Sequence, residues 1–228
     1  KNHFEHRMCA LRKDIQVLKF LPPSMSADLN EELYVPCLKS CPFFLQYGII
    51  HYHGLRAICD SVVTERTCIL GERLFQSGTQ AENMYFVTMG RLHYEHRDPR
   101  LTTKLGRHQW ASEPTLWMKW YHCGTMDSQT SCAVLCVAAK RFRTVVSDQP
   151  RALTYVRSYI ALFRDLMSDP EANEANTWKT DIWLQVATLK HIVLESLPEP
   201  DFPEQDSKNT WFRKTSGDGA SPDGKRAV

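Results

Sequence analysis

Between Val63 and Ala138 the chain is built of short runs rich in Val, Ile, Phe, Tyr and Thr, interrupted by Gly71, Gly78, Gly90 and Gly106. Glycines at such intervals mark tight turns, and strands this short satisfy their backbone by pairing into a compact antiparallel roll or barrel. Met84-Tyr-Phe-Val-Thr-Met-Gly90-Arg-Leu-His-Tyr94 predicts two strands joined at a glycine, and Cys132 to Val137 predicts a buried strand. A β-roll is therefore expected over about 63–138.

The flanks have a different period. Phe4, Met8, Leu11, Ile15 and Leu18 recur at helical steps up to Pro22-Pro23. Ser24 or Ser26 is placed to cap a following helix with Leu29, Leu33 and Leu38, and a further helix over 51–62 carries Leu55, Ile58 and Val62. After the roll, Phe142, Val145 and Val146 predict one short helix. Pro150 starts a second with Leu153, Val156, Ile160, Phe163, Leu166 and Met167 on one face. Residues 168–175 form an acidic break. A last helix is expected from Trp178 to Leu197, with Ile182, Val186, Leu189 and Val193 in register, followed by a disordered tail rich in Pro, Ser, Gly and charge. The fold class is α+β: N-terminal linker helices, an antiparallel jelly-roll-like β-roll and C-terminal helices. The expected divisions are 1–45, 46–168, 169–197 and 198–228.

With 228 residues, 43% of them hydrophobic, the chain can bury a core without staples, so its eight irregularly spaced cysteines read as free thiols in a reducing compartment. A formal charge of +2 and the lack of a basic stretch interleaved with aromatics argue against a nucleic-acid partner. No apolar run is long enough to span a bilayer, so this segment is not expected to insert into a membrane. The chain begins at Lys1 without a signal-peptide pattern, and the expectation is a cytosolic fragment of something longer.

Four motifs recur in a familiar order: Phe4-Glu5-His6-Arg7, Pro42-Phe43-Phe44, Gly71-Glu72-x-x-Phe75-x-x-Gly78, and Met84-Tyr85-Phe86-Val87-x-x-Gly90. On these the chain resembles, over roughly residues 1–168, the cytoplasmic linker and cyclic-nucleotide-binding homology domain of voltage-gated channels. The relatives meant are the hyperpolarisation-activated, cyclic-nucleotide-gated and ether-à-go-go types. The resemblance implies a regulatory, gating and assembly module of a potassium or cation channel on the cytoplasmic face of a membrane, and not an enzyme. Its implied partners are the channel's transmembrane domain and further copies in a tetramer formed through the linker helices, with Glu5, His6 and Arg7 near the contacts.

The resemblance also implies a pocket inside the roll. In the family a glycine lets backbone N–H groups approach a cyclic phosphate, a glutamate holds the ribose 2′-hydroxyl, and an Arg-Thr pair nine and ten positions later meets the phosphate. Here those positions read Ser112, Glu113, His122 and Cys123, with Thr115 between them. Phe163, Leu166 and Met167 fall where the family's last helix caps the base, a stripe that equally suits a helix packed on the roll.

Replacing a permanently charged guanidinium fork by an imidazole and a weakly donating thiol removes charge-assisted hydrogen bonds worth about 1.5 to 3 kcal/mol each. Phosphate affinity should fall on the order of ten- to a hundredfold. Trp117, Met118, Trp120 and Tyr121 add volume beside the cassette and are expected to fill the cavity. Two readings follow. Either the pocket is degenerate, with cAMP or cGMP at most a weak ligand, or it is a working cyclic-nucleotide site that uses His122 in place of arginine. In some relatives a segment beyond the last roll helix folds back as an internal ligand, and the sequence after Met167 leaves that open.

Other constellations carry less. Cys37-x-x-x-Cys41 and Cys132-x-x-x-Cys136 lack the tight pairing of structural zinc ligands and read as buried thiols, so no metal or cofactor is expected. His122 and Cys123 are adjacent in an extended segment and so point to opposite faces, which argues against a base–nucleophile pair.

Overall fold

The structure, a computed structural model, describes residues 20–168, 180–182 and 186–197. The chain divides into residues 1–198 and 199–228, and every described residue belongs to the first of these units. The opening helices are α1 (Pro23–Leu38), α2 (Pro42–Ile50) and α3 (Tyr52–Ser61). Both α1 and α2 begin with proline, whose fixed φ suits the first helical turn and whose missing N–H costs nothing there. No serine side chain caps α1. Its buried side is formed by Asn30, Tyr34, Val35, Cys37 and Leu38; Leu38 is buried as expected, whereas Leu33 is half exposed and Tyr34 takes its place. The predicted helix over residues 1–20 lies outside the described residues, apart from Phe20.

The roll runs from β1 (Val63–Cys68) through β2 (Arg73–Phe75), β3 (Asn83–Met89), β4 (Leu92–Glu95), β5 (Thr103–Leu105), β6 (Trp110–Ala111) and β7 (Thr125–Ser128) to β8 (Cys132–Ala138). A four-residue helix, α4 (Pro114–Trp117), interrupts it. Two antiparallel four-stranded sheets result, in the orders β1-β8-β3-β6 and β2-β7-β4-β5. The β3–β4 turn sits at Gly90, where φ is +83° and a Cβ would lie 2.4 Å from the Ser131 carbonyl oxygen. Glycine is required there both by conformation and by space. The strands thus agree with the sequence expectation, as do the helices that follow, α5 (Ala139–Ser147) and α6 (Pro150–Ser168).

The central strands of the first sheet, β3 and β8, are buried on both faces, which is why Met84–Val87 and Val134–Val137 read as apolar runs, whereas the edge strand β1 carries the polar Thr64–Thr67. Alternate residues belong to different cores. Met84, Phe86, Trp110, Leu135 and Val137 face a helical core, whereas Tyr85, Val87, Ala111, Val134 and Cys136 face the interior of the roll. The helical core gathers residues of α1–α3, α5, α6 and a last helix, α7 (Val186–Glu195), around Phe43. That ring lies 4.7–6.1 Å from the rings of Phe44, Tyr47, Trp117, Phe142, Tyr155 and Tyr159. On α6 the fully buried positions are Ala152, Tyr155, Val156, Tyr159 and Phe163, with the tyrosines taking places that the aliphatic pattern assigned to Leu153 and Ile160.

The expected helix from Trp178 to Leu197 is shorter than predicted. Residues 180–182 are not helical, and α7 begins at Val186. Leu189 and Val193 do pack in the helical core, but Ile182 belongs to the roll core. The helical spacing of Ile182 relative to Val186 was coincidental. None of the described helices is long and apolar enough to cross a membrane.

Phe43→Ala should remove the centre of the aromatic cluster and destabilise the fold by about 3 to 5 kcal/mol. Urea unfolding monitored by far-ultraviolet circular dichroism will show this as a lowered midpoint.

Candidate functional site

The alternation that divides the cores continues past the end of β6. Trp110 faces the helices and Ala111 the roll; Ser112 then enters the roll and Glu113 returns to the helices. Ser112 is fully buried with φ +63°, in the left-handed region that favours glycine. A serine holds this conformation at a cost of roughly 1 to 2 kcal/mol. Helix α4 follows, and the chain returns through Trp120, Tyr121 and His122 to β7. Arg143 of α5 donates from Nη1 to the Thr115 carbonyl oxygen at 2.9 Å, holding the C-terminal end of α4.

The space inside the cassette is occupied by Thr180, Asp181 and Ile182, all buried. The Asp181 carboxylate accepts six hydrogen bonds. Its Oδ1 receives Trp120 Nε1 at 2.8 Å, His122 Nδ1 at 2.9 Å and Ser112 Oγ at 3.3 Å. Its Oδ2 receives the Cys123 backbone N–H at 2.8 Å, the Tyr94 hydroxyl at 2.9 Å and the Gly124 backbone N–H at 3.1 Å. The segment's backbone is read as well. Ser112 N–H donates to the Asp181 carbonyl oxygen at 2.7 Å, and Asp181 N–H donates to the Tyr94 hydroxyl at 3.0 Å. Ile182 joins Phe75, Tyr85, Val87, Tyr94 and Met126 in the roll core.

His122 is the one group among these partners that can carry a positive charge. Its ring is stacked on Phe75, with centroids 3.8 Å apart and planes 6° apart, and its backbone is tied to the turn at Gly78 and Thr79. The imidazole is thereby held with Nδ1 aimed at Asp181. Burial alone would raise the Asp181 pKa, but the hydrogen bond and charge of His122, with Trp120 and the Gly124 N–H, outweigh it and hold the carboxyl below its ordinary value.

Glu113 is in the other core. Its Oε1 accepts from the Tyr159 hydroxyl at 2.8 Å; its Oε2 accepts from Trp110 Nε1 at 3.0 Å and from the Cys41 thiol at 3.8 Å. Burial raises the pKa of this carboxyl, and the hydrogen bonds from Tyr159 and Trp110 oppose the rise. The residue expected to hold a ribose hydroxyl instead ties the cassette to α6 and to the start of α2.

The remaining predicted site residues separate in the same way. Ser112 and His122 line the pocket, and Cys123 contributes its backbone N–H only. The Cys123 thiol rests on the Tyr121 carbonyl oxygen, and burial followed by the Asp181 charge pushes its pKa up to about 12. Thr115 is buried with its hydroxyl donating to the Ala81 carbonyl oxygen at 2.9 Å. Phe163 packs on Tyr159 and Trp117 in the helical core, with Leu166 and Met167 against it, so this stripe does not face the pocket. Nor do the two tryptophans fill the cavity. Trp117 belongs to the helical core, Trp120 donates to Asp181, and Tyr121 is half exposed. Glu5, His6 and Arg7 lie outside the described residues. Among the described residues, no group of three or more His, Cys, Asp or Glu is placed to hold a metal ion.

Sequence reasoning did not identify Asp181 or Tyr94, and it placed Trp120 beside the cassette as bulk and not as a donor. The one available signal came from the resemblance, which left open whether a segment after Met167 folds back as an internal ligand.

No protein-family model matches this chain, and no curated protein matches it. Among solved structures it is similar in fold to the C-linker/CNBHD of zELK channels, with 20% identity over 60% of this chain and 68% of that one, at a TM-score of 0.47. It is also similar to the regulatory subunit of a cAMP-independent protein kinase A from Trypanosoma brucei, with 16% identity over 66% of this chain and 52% of that one, at a TM-score of 0.47. A cyclic-nucleotide-binding-like protein from Brucella abortus is 16% identical over 46% of this chain and 97% of its own, at a TM-score of 0.39.

Because the docked Asp181 has a lowered pKa, its docking is at full strength above the ordinary aspartate pKa of about 3.9 and is lost as pH falls through the docked value. The Cys123 and Gly124 amide resonances should therefore hold steady from neutral pH to about pH 5 and move together in stronger acid. In Asp181→Asn that titration should be absent, and at neutral pH both amides should already sit at the shifted positions.

Proposed function

We propose that this chain is the cytoplasmic regulatory and assembly module of a voltage-gated potassium or cation channel, with a cyclic-nucleotide-binding-like roll whose pocket is occupied by its own Thr180–Ile182. The observation that carries the self-occupied pocket is the Asp181 carboxylate, which takes six donors where an anionic ligand of the cassette would lie. The channel setting rests on the linker motif Phe4-Glu5-His6-Arg7 and the order of linker helices, roll and C-terminal helices. Assembly as a tetramer through residues 1–45 and a place at the cytoplasmic face of a membrane belong to the same reading.

The mechanism is one of competition and coupling. An external ligand must displace a carboxylate, two backbone hydrogen bonds and a buried isoleucine. The cassette that would sense this exchange is joined to α6 through Glu113 and Tyr159. A change in the pocket therefore has a direct physical route to the C-terminal helices.

A second reading retains cAMP or cGMP as a ligand held by His122, which is favoured by the fact that His122 does hold an anion here. Calorimetry separates the two. The self-occupied pocket should give no measurable heat with cAMP or cGMP at pH 7.5 or pH 6. Micromolar binding at pH 7.5 would establish the second reading, and its loss in His122→Ala would assign the contact. For assembly, light scattering should report a species larger than a monomer that reverts to monomer when residues 1–45 are removed.

A further inference from the structure

We infer that the roll pocket is a peptide-recognition site selective for a short aspartyl-aliphatic segment, and that it will accept such a segment supplied in trans. The inference rests on the self-occupied pocket described above and names the chemistry that the pocket selects.

Four observations carry it. The donors are arranged three to each oxygen of one carboxylate, and only His122 among them can be charged, so a singly charged planar anion is matched in both number and geometry. Two further bonds engage the ligand's main chain: Ser112 N–H to the Asp181 carbonyl oxygen, and Asp181 N–H to Tyr94. A cyclic phosphodiester offers neither an N–H nor a C=O at those points. The residue after the aspartate is received by an apolar niche that includes Phe75, Val87 and Met126, which selects an aliphatic side chain. Finally, Glu113, the group that would read a sugar hydroxyl, is engaged by Tyr159 and Trp110 in the opposite core. Carboxylate, backbone and aliphatic recognition together constitute a peptide site, with contacts to the main chain and specificity from the two consecutive side chains Asp181 and Ile182.

The test uses the full chain and a labelled peptide with the sequence of residues 176–184, Asn-Thr-Trp-Lys-Thr-Asp-Ile-Trp-Leu, capped at both ends. In Asp181→Ala, verified as folded by circular dichroism, fluorescence anisotropy should report saturable binding of this peptide. Binding to the wild-type chain should be at least about tenfold weaker, because the internal segment competes. A peptide with Asn in place of Asp should bind the variant on the order of a hundredfold more weakly. Millimolar cAMP, cGMP or inorganic phosphate should leave the complex intact. Ile182→Ala, which keeps the carboxylate and loosens only the apolar anchor, should bind the peptide with intermediate affinity and covers the case in which Asp181→Ala does not fold. Failure of the peptide to bind either folded variant would overturn the inference, as would equal binding of the Asn peptide. Displacement by cAMP or cGMP would overturn it too, while leaving a regulatory pocket in place. Equal affinity of wild type and variants would sink both this inference and the self-occupied pocket.

Discussion

The buried Asp181 carboxylate is the interaction on which the site depends. An isolated carboxylate removed from water is costly by many kcal/mol unless its lone pairs are filled and a positive partner is near. Filling them requires three parts of the roll at once: Tyr94 from β4, Ser112 at the end of β6, and Trp120, His122 and two backbone N–H groups from the return to β7. Each of these parts is placed by a different turn or strand pairing. The segment can dock only when the whole cassette is assembled, and its docking in turn stabilises that assembly.

The second constraint is that the first sheet is a wall between two cores. Because successive residues point to opposite faces, the cassette's two polar members divide between them, Ser112 to the roll and Glu113 to the helices. This division changes what a carboxylate in the cassette means. Facing the helices, Glu113 fastens α4 to Tyr159 of α6 and Cys41 beside α2. The domain has a strut there.

The strands, α1 and α3 before them and the two helices after them were legible in the sequence because glycine spacing and helical periodicity report local backbone physics directly; α2 was not, because Pro42–Ile50 is apolar almost throughout and shows no helical period. The leucine stripe of α1 was misplaced because Tyr34 and Asn30 compete successfully for the buried face. Tyr155 and Tyr159 were overlooked on α6 because aliphatic counting undervalues an aromatic with a polar tip. At the site, Ser112 and His122 were legible from cassette spacing. The direction of Glu113 was not, since a one-residue alternation depends on where β6 ends. Asp181 lies 59 residues beyond His122 and sits in what reads as the start of a helix, so no local pattern connects the two. Only the fold brings that charge to that imidazole.

The ligand in this pocket is covalently part of the protein. A free ligand's occupancy rises and falls with its supply, whereas a tethered one experiences a fixed effective concentration, commonly on the order of millimolar for short connections. The resting state of the roll is therefore independent of how much protein is made and of how far it is diluted. The quantity open to adjustment is the intramolecular equilibrium, and it responds to any process that changes the free energy of the 180–182 segment when undocked, including mechanical strain transmitted along the chain from α6 or α7.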